Sequence, residues 1–296
     1  MSLIVQISDT HFGTERPDVV TALRALIVSL QPDLVILSGD VTQRARRDQF
    51  DAARRFIDGY ARPTLVVPGN HDVPLGNLFA RALNPFGGFR RVFGAELEPG
   101  FADDALLVIG VNTVRPARHK DGEVSDAQVE QVAQRLRRAT DTQLRVVVTH
   151  QPVHVIRSKD EKNLLINHER AVAAWSAAGA DLVLGGHIHL PYVRPLNTET
   201  RALPRELWSV QAGTALSTRI REGISNSFNT IRYDPADDRA VCVVEQWDYN
   251  EANGRFDAGD RTSIPLDRRR LDRMPPDAMA PDTTPPDTTP PDATSL

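Results

Sequence analysis

Five short apolar runs mark the first two thirds of the chain, at residues 3–7, 34–37, 65–67, 146–148 and 182–184, all rich in Val, Ile and Leu. Runs of this length and composition predict strands buried on both faces. Helical periodicity fills the gaps between them. Over residues 18–30 the stripe is Val19, Leu23, Leu26, Ile27 and Leu30, with Pro17 suited to the first turn. Over 46–60 it is Phe50, Ala53, Phe56 and Ile57, and over 125–138 it is Val129, Val132 and Leu136 behind an N-capping Ser125. A short apolar helix is expected at 168–178, and beyond residue 207 the pattern turns to strands at 207–211, 226–233 and 240–249. Strands alternating with helices predict an α/β fold with helices outside the sheet.

Each of the five runs ends in polar side chains. In order these are Asp9-Thr10-His11, Gly39-Asp40, Gly69-Asn70-His71-Asp72, Thr149-His150 and Gly185-Gly186-His187-Ile188-His189. Ligands of open α/β sheets bind at the carboxyl ends of the strands. A chain that delivers Asp, His and Asn to that edge five times over is expected to build a metal site there. The glycines just before these residues suggest sharp strand-end turns that bring backbone close to the ions. Imidazole, carboxylate and amide together suit Mn, Fe, Zn or Co, and suit Ca poorly. His119, His154 and His168 lie outside the ordered motifs and are expected to be structural, with His154 a candidate for the mouth of the site.

The motif order D-x-H, GD, GNH[DE], H and GHxH resembles the calcineurin-like metallophosphoesterase superfamily, over roughly residues 1–250. The resemblance implies a four-layer αββα sandwich of two mixed sheets flanked by helices. It implies a dinuclear centre in which Asp40 bridges, Asp9, His11 and His189 complete one ion, and Asn70, His150 and His187 complete the other. Two divalent ions ~3.5–4 Å apart screen phosphoryl charge and lower the pKa of water, so hydroxide formed at the pair is the implied attacking group. His71 would contact the phosphate and help the leaving oxygen depart, and Asp72 would orient its imidazole. Arg157 and Arg219 are candidate substrate contacts, with Asn70 and His71. The chain lacks the GDxVDRG and RGNHE forms of Ser/Thr protein phosphatases. It also lacks the tyrosine that a purple acid phosphatase carries beside its second motif. It looks most like bacterial phosphodiesterases, including the class III cyclic-nucleotide group. The expected function is therefore hydrolysis of small phosphodiesters, cyclic nucleotides among them. A phosphomonoesterase or nuclease on the same scaffold and a non-catalytic interaction module are the alternatives, and the complete ligand set argues against the last.

Composition constrains partners more than chemistry. The net charge of −4 over 296 residues offers no general attraction for nucleic acid or an anionic membrane. No apolar run approaches the ~20 residues of a membrane span. The single cysteine, Cys242, cannot form an internal disulfide, and with no signal-like N-terminal segment this suits the cytoplasm. The oligomeric state is left open, a homodimer included. Residues 1–256 are read as the catalytic domain, 257–274 as a charged transition and 275–296, with its Pro-Asp-Thr repeats, as a disordered tail.

Overall fold

The computed structural model describes residues 1–269 apart from residue 77 and residues 199–200. The repetitive tail lies outside the described residues. Two six-stranded sheets form the centre. The first has the order β12-β11-β10-β1-β2-β3 and the second β4-β5-β6-β7-β9-β8. In the first sheet β1 (Ser2–Ile7), β2 (Leu34–Ser38) and β3 (Thr64–Val67) run parallel. The strands β10 (Ser227–Tyr233), β11 (Val241–Asn250) and β12 (Arg255–Pro265) continue it antiparallel. In the second sheet β5 (Leu106–Gly110), β6 (Leu144–Val148), β7 (Leu182–Gly185) and β9 (Trp208–Gln211) are parallel. The short β4 (Gly100–Ala102) and β8 (Tyr192–Pro195) close its two edges antiparallel.

Side-chain alternation explains why the apolar runs are unbroken. In β1, Ile4 packs toward the second sheet with Leu34, Ile36, Val146, Val148 and Leu184. Its neighbours Val5 and Ile7 face the opposite way, onto α1 (Pro17–Leu30) and α2 (Arg47–Asp58) through Leu23, Ile27, Phe50 and Phe56. Likewise Val147 and Val183 of the second sheet face α5 (Asp126–Arg137) and α6 (His168–Ala177), where Trp175 is wholly buried. The central strands are thus covered on both faces, and each fully buried Val, Leu or Ile contributes roughly 1.5–3 kcal/mol. The result is the expected four-layer sandwich. Pro17 begins α1, and the Ser125 hydroxyl accepts the Gln128 N–H to cap α5. Between β3 and β4 the chain forms two short helices, α3 (Leu78–Leu83) and α4 (Gly87–Phe93).

One boundary is corrected. Residues 257–265, read as charged transition, belong to β12, whose Phe256 and Ile264 are buried while nearly all its other residues are exposed. A one-sided edge strand lacks the continuous apolar run that marked the central ones. The chain then crosses the amino edge of both sheets, where Arg268 pairs with Asp181 at 3.2 Å and lies over the Tyr233 ring.

That amino edge repeats one device. Asp33, just before β2, donates its N–H to the Leu3 carbonyl at 2.9 Å and accepts the Leu3 N–H on its carboxylate at 2.8 Å. Asp181, just before β7, donates to the Arg145 carbonyl at 2.9 Å and accepts the Arg145 N–H at 2.8 Å. Both aspartates extend the ladder by one rung where the strand pair begins.

Candidate dinuclear metal centre

At the opposite, carboxyl edge, the turns after β1, β2, β3, β6 and β7 converge from both sheets. Here the backbone departs from ordinary geometry. Asp9, His11, Asp40, His187 and His189 all have φ between 42° and 72°, a region that non-glycine residues seldom adopt. Each such residue costs about 1 kcal/mol or more, so five together mark a site whose surroundings force them. Glycine allows the remaining close approaches. A Cβ on Gly186 would lie 1.9 Å from Ser8 Oγ and 2.4 Å from Asp9 Oδ2. On Gly69 it would lie 2.0 Å from the Asp40 nitrogen.

The carboxylates and imidazoles form overlapping sets whose ligating atoms lie within 4.8 Å of one another: Asp9, His11 and His189; His11, Asp40 and His71; and Asp40, His150 and His187. Asp40 belongs to two of them. Its two oxygens reach different neighbours, Oδ1 lying 3.2 Å from His150 Nε2 and Oδ2 lying 3.8 Å from His11 Nε2. Asn70 Oδ1 is 3.3 Å from His150 Nε2, which adds the amide to the second set. Backbone carbonyls orient the rings. His150 Nδ1 donates to Ser38 O at 3.0 Å and His189 Nδ1 to Arg219 O at 2.6 Å, so in both rings Nε2 faces the cluster. Asp9 is steadied by Ser8 Oγ at 2.6 Å and by the His187 N–H at 2.9 Å, and Thr214 Oγ1 donates to its carbonyl at 2.6 Å.

The electrostatics fit divalent cations. Burial pushes His11 and His187 down to about 3, keeping them neutral, the form that ligates metal. Burial would raise the Asp9 carboxyl, but the His189 imidazole against it brings it down to about 2. Asp40 is likewise carried well below the usual carboxylate range, against its burial, by His150. Burial disfavours charge on His150, yet Asp40 raises it to about 9, so a proton there stands where a cation would. The Nδ1 atoms of His11 and His187 are buried without hydrogen-bond partners, and His11 Nε2 lies 3.1 Å from His189 Nε2. Inward-facing imidazole nitrogens and buried carboxylates at such separations match the donor set of a pair of divalent ions.

A calcineurin-like phosphoesterase family model matches residues 2–191. The chain belongs to this family. Among curated relatives, a probable glycerophosphodiester phosphodiesterase GpdQ of Arcobacter nitrofigilis is 26% identical over 63% of this chain and 71% of its own length. A probable cyclic nucleotide phosphodiesterase of Synechococcus is 26% identical over 64% of this chain and 74% of its own. Among solved structures, a dimetal phosphatase from Danio rerio superposes with TM-score 0.61 at 14% identity, covering 90% of this chain and 99% of that one. A purple acid phosphatase from yellow lupin gives 0.67 at 15% identity over 91% of this chain and 55% of that one. At these identities the two structures establish the fold of this phosphoesterase and nothing finer.

Two expected site roles are corrected. Asp72 does not orient His71. Its buried carboxylate accepts the N–H groups of Val41, Thr42 and Gly69, at 3.1, 2.8 and 2.9 Å, and so ties the turn after β2 to the turn after β3. Burial and nearby Asp40 push it up to about 6. The His71 ring is held instead by the Gln43 carbonyl, 2.8 Å from Nδ1. No residue-type signal reveals a carbonyl partner, and Gln43 escaped the sequence reading entirely. Arg157 does not reach the cluster either; it pairs with Glu222, as does Lys159. His154 sits edge-on to Tyr192, away from the ligands. Arg219 does reach the site, with Nη1 3.1 Å from His71 Nε2. A cavity of about 430 Å³ opens beside the cluster, lined by His187, His189, Asn163, Arg219 and Ile220 among others. Among the described residues no helix is long and apolar enough to cross a membrane.

Proposed function

We propose that this phosphoesterase is a dinuclear metal-dependent phosphodiesterase acting on small diesters. The observation that carries the reading is the double membership of Asp40, whose two oxygens face separate groups of imidazoles. Asp9, His11, Asp40 and His189 would hold one ion, and Asp40, Asn70, His150 and His187 the other, with Mn, Fe, Zn or Co as the ions of choice. Bound there, the ions screen phosphoryl charge and acidify water.

The protein's own groups do the rest. The His71 N–H donates to Asp40 Oδ1 at 2.8 Å, so the loop that presents the imidazole is fixed to the bridging carboxylate. His71 projects beside His11, with ring centroids 4.8 Å apart, and is the group positioned to stabilise or protonate the departing oxygen. The alcohol of the diester would occupy the cavity by Asn163 and Ile220. Among the described residues its lining holds imidazoles and guanidiniums but no Phe, Tyr or Trp. The relative named for glycerophosphodiesters supports a small polyol ester, and the one named for cyclic nucleotides keeps that substrate in the comparison.

The test compares bis-p-nitrophenyl phosphate, p-nitrophenyl phosphate, a glycerol phosphodiester and a 3′,5′-cyclic nucleotide on Mn-reconstituted protein. Metal-dependent turnover highest on the acyclic diesters is expected. Preference for p-nitrophenyl phosphate would replace the diesterase with a phosphatase, and preference for the cyclic nucleotide would refute the polyol cavity.

A further inference from the structure

Two cations line the cavity, Arg219 and Arg221, and only one of them meets a carboxylate. Arg221 meets both oxygens of Asp160, at 2.9 and 3.0 Å, and donates to the Ile188 carbonyl. Arg157 and Lys159 both end on Glu222. Arg219 is different. Among the described residues no carboxylate pairs with it, and its Nη1 donates to Gln43 Oε1 at 3.1 Å and faces His71 Nε2 at 3.1 Å.

The chemistry of that last contact is restrictive. A guanidinium has donors only, so His71 Nε2 must accept. The ring proton then sits on Nδ1, where the Gln43 carbonyl takes it. Gln43 thus holds both partners, the imidazole through its carbonyl and the guanidinium through its side chain. While Nε2 accepts from Arg219 it cannot carry the proton that a departing oxygen needs. Something must draw the guanidinium aside, and an anion is the group that can.

We propose that Arg219 is the charge-selecting residue of this site. An entering phosphoryl group takes the guanidinium from His71 and is held by Arg219 in proportion to its negative charge. This rests on the phosphoesterase reading above. A diester carries one negative charge over two terminal oxygens. A monoester or inorganic phosphate carries close to two over three, and the additional oxygen stands where the second alcohol of a diester would enter the cavity. Charge-assisted hydrogen bonds to that oxygen strengthen with its charge, and a planar guanidinium can present two parallel donors where an ammonium presents a point charge. The backbone of the same residue does separate work, since its carbonyl orients His189. Side-chain replacement therefore leaves that contact in place.

The test uses the full chain, Zn-loaded, as wild type, R219K and R219Q, with metal content measured in each. Calorimetric titrations with inorganic phosphate, at a pH where it is a dianion, and with dimethyl phosphate read binding without turnover. In R219Q, phosphate affinity is expected to fall about 30-fold and dimethyl phosphate affinity about 3-fold, with R219K between, as loss of a charge-assisted bond predicts. The ratio of monoester to diester kcat/KM should fall about tenfold in parallel. Nitrogen NMR of the wild type should show His71 protonated at Nδ1, with the Nε2 signal moving on phosphate addition. Equal loss for both ligands, or no loss, overturns the proposal. So does an Nε2 signal indifferent to phosphate. Wild-type diester turnover alongside unchanged phosphate binding in R219Q would remove the role of Arg219 and leave the reaction standing. Absence of wild-type turnover on every ester would remove the reaction, and the titrations would still decide on Arg219.

Discussion

The two edges of the sandwich bury charge in opposite ways. At the amino edge Asp181 is buried, yet its carboxylate has the Arg145 N–H and the Arg268 guanidinium, and Asp33 repeats the backbone pairing one sheet away. The Arg145 guanidinium beside Asp181 donates to the Gly179 and Thr140 carbonyls, though its Nε has no partner. At the carboxyl edge Asp9 and Asp40 crowd five imidazoles, two ring nitrogens have no partner, and five residues sit at positive φ. One edge ties its carboxylates into the strand ladder, and the other gathers them with imidazoles in the manner of a cation site. The same strands make both, so the difference lies in the turns. The turns before strands close the ladder, while those after strands hold side chains out for a ligand.

Breaking the carboxyl edge should abolish activity. Asp40→Ala is expected to lose metal and at least about 1,000-fold in kcat/KM, seen by metal analysis and diester assay, and it leaves the His71 N–H and the His150 imidazole without their carboxylate. His71→Ala separates assembly from chemistry. It should keep both ions and lose about 100-fold in kcat, the usual contribution of a positioned acid or base. Retained metal with unchanged kcat would exclude His71 from the reaction.

Breaking the amino edge should do the reverse. Asp181→Ala leaves the Arg145 N–H without its acceptor and Arg268 without its carboxylate, a loss of about 3 kcal/mol by denaturant titration. Metal content and kcat of the folded protein should not change. A comparable loss of activity would mean that the two edges are coupled.

Stripping the metal sharpens the contrast. At about 100 times the dissociation constant, metal should stabilise the protein by about 2.7 kcal/mol, as a chelator-reversible shift in Tm. The smallest effect is on pH. His187 falls from its usual 6.5 to about 3 because it is buried, so the chelated native state binds fewer protons than the unfolded chain between those values. This contribution to stability is lost as pH falls below 6.5, and His11 adds to the loss. Asp72, raised to about 6, and Asp181, also raised by burial, contribute with the opposite sign. Chelated His187→Asn should lose less stability than chelated wild type between pH 6.5 and 5, and equal losses would contradict the assignment.

The seven proposed ligands were legible because each follows an apolar run, and because glycine beside Asp, Asn or His at a strand end has few other uses. The central strands were legible for the same reason. What carried no ligand was harder to see. β5 has an apolar run that ends on Gly110 without a polar ligand, and β12 buries only Phe256 and Ile264. The second sheet came from family resemblance, since periodicity cannot say which strands share a sheet. Asp72 was assigned to its sequence neighbour, although its partners lie 30 residues away after β2. Gln43 acts partly through its carbonyl, which every residue possesses, and only the folded chain shows which carbonyl is used.

Asp9 and His187 are in hydrogen-bond contact although 178 residues separate them. A chain emerging from the ribosome presents Asp9, His11, Asp40 and Asn70 long before His150, His187 and His189, and the carbonyl that orients His189 comes 30 residues later still. No early fragment holds the full proposed set for either ion. Metal choice by these ligands would be deferred until the second sheet has been synthesised, rather than fall to whichever ion the growing chain meets first.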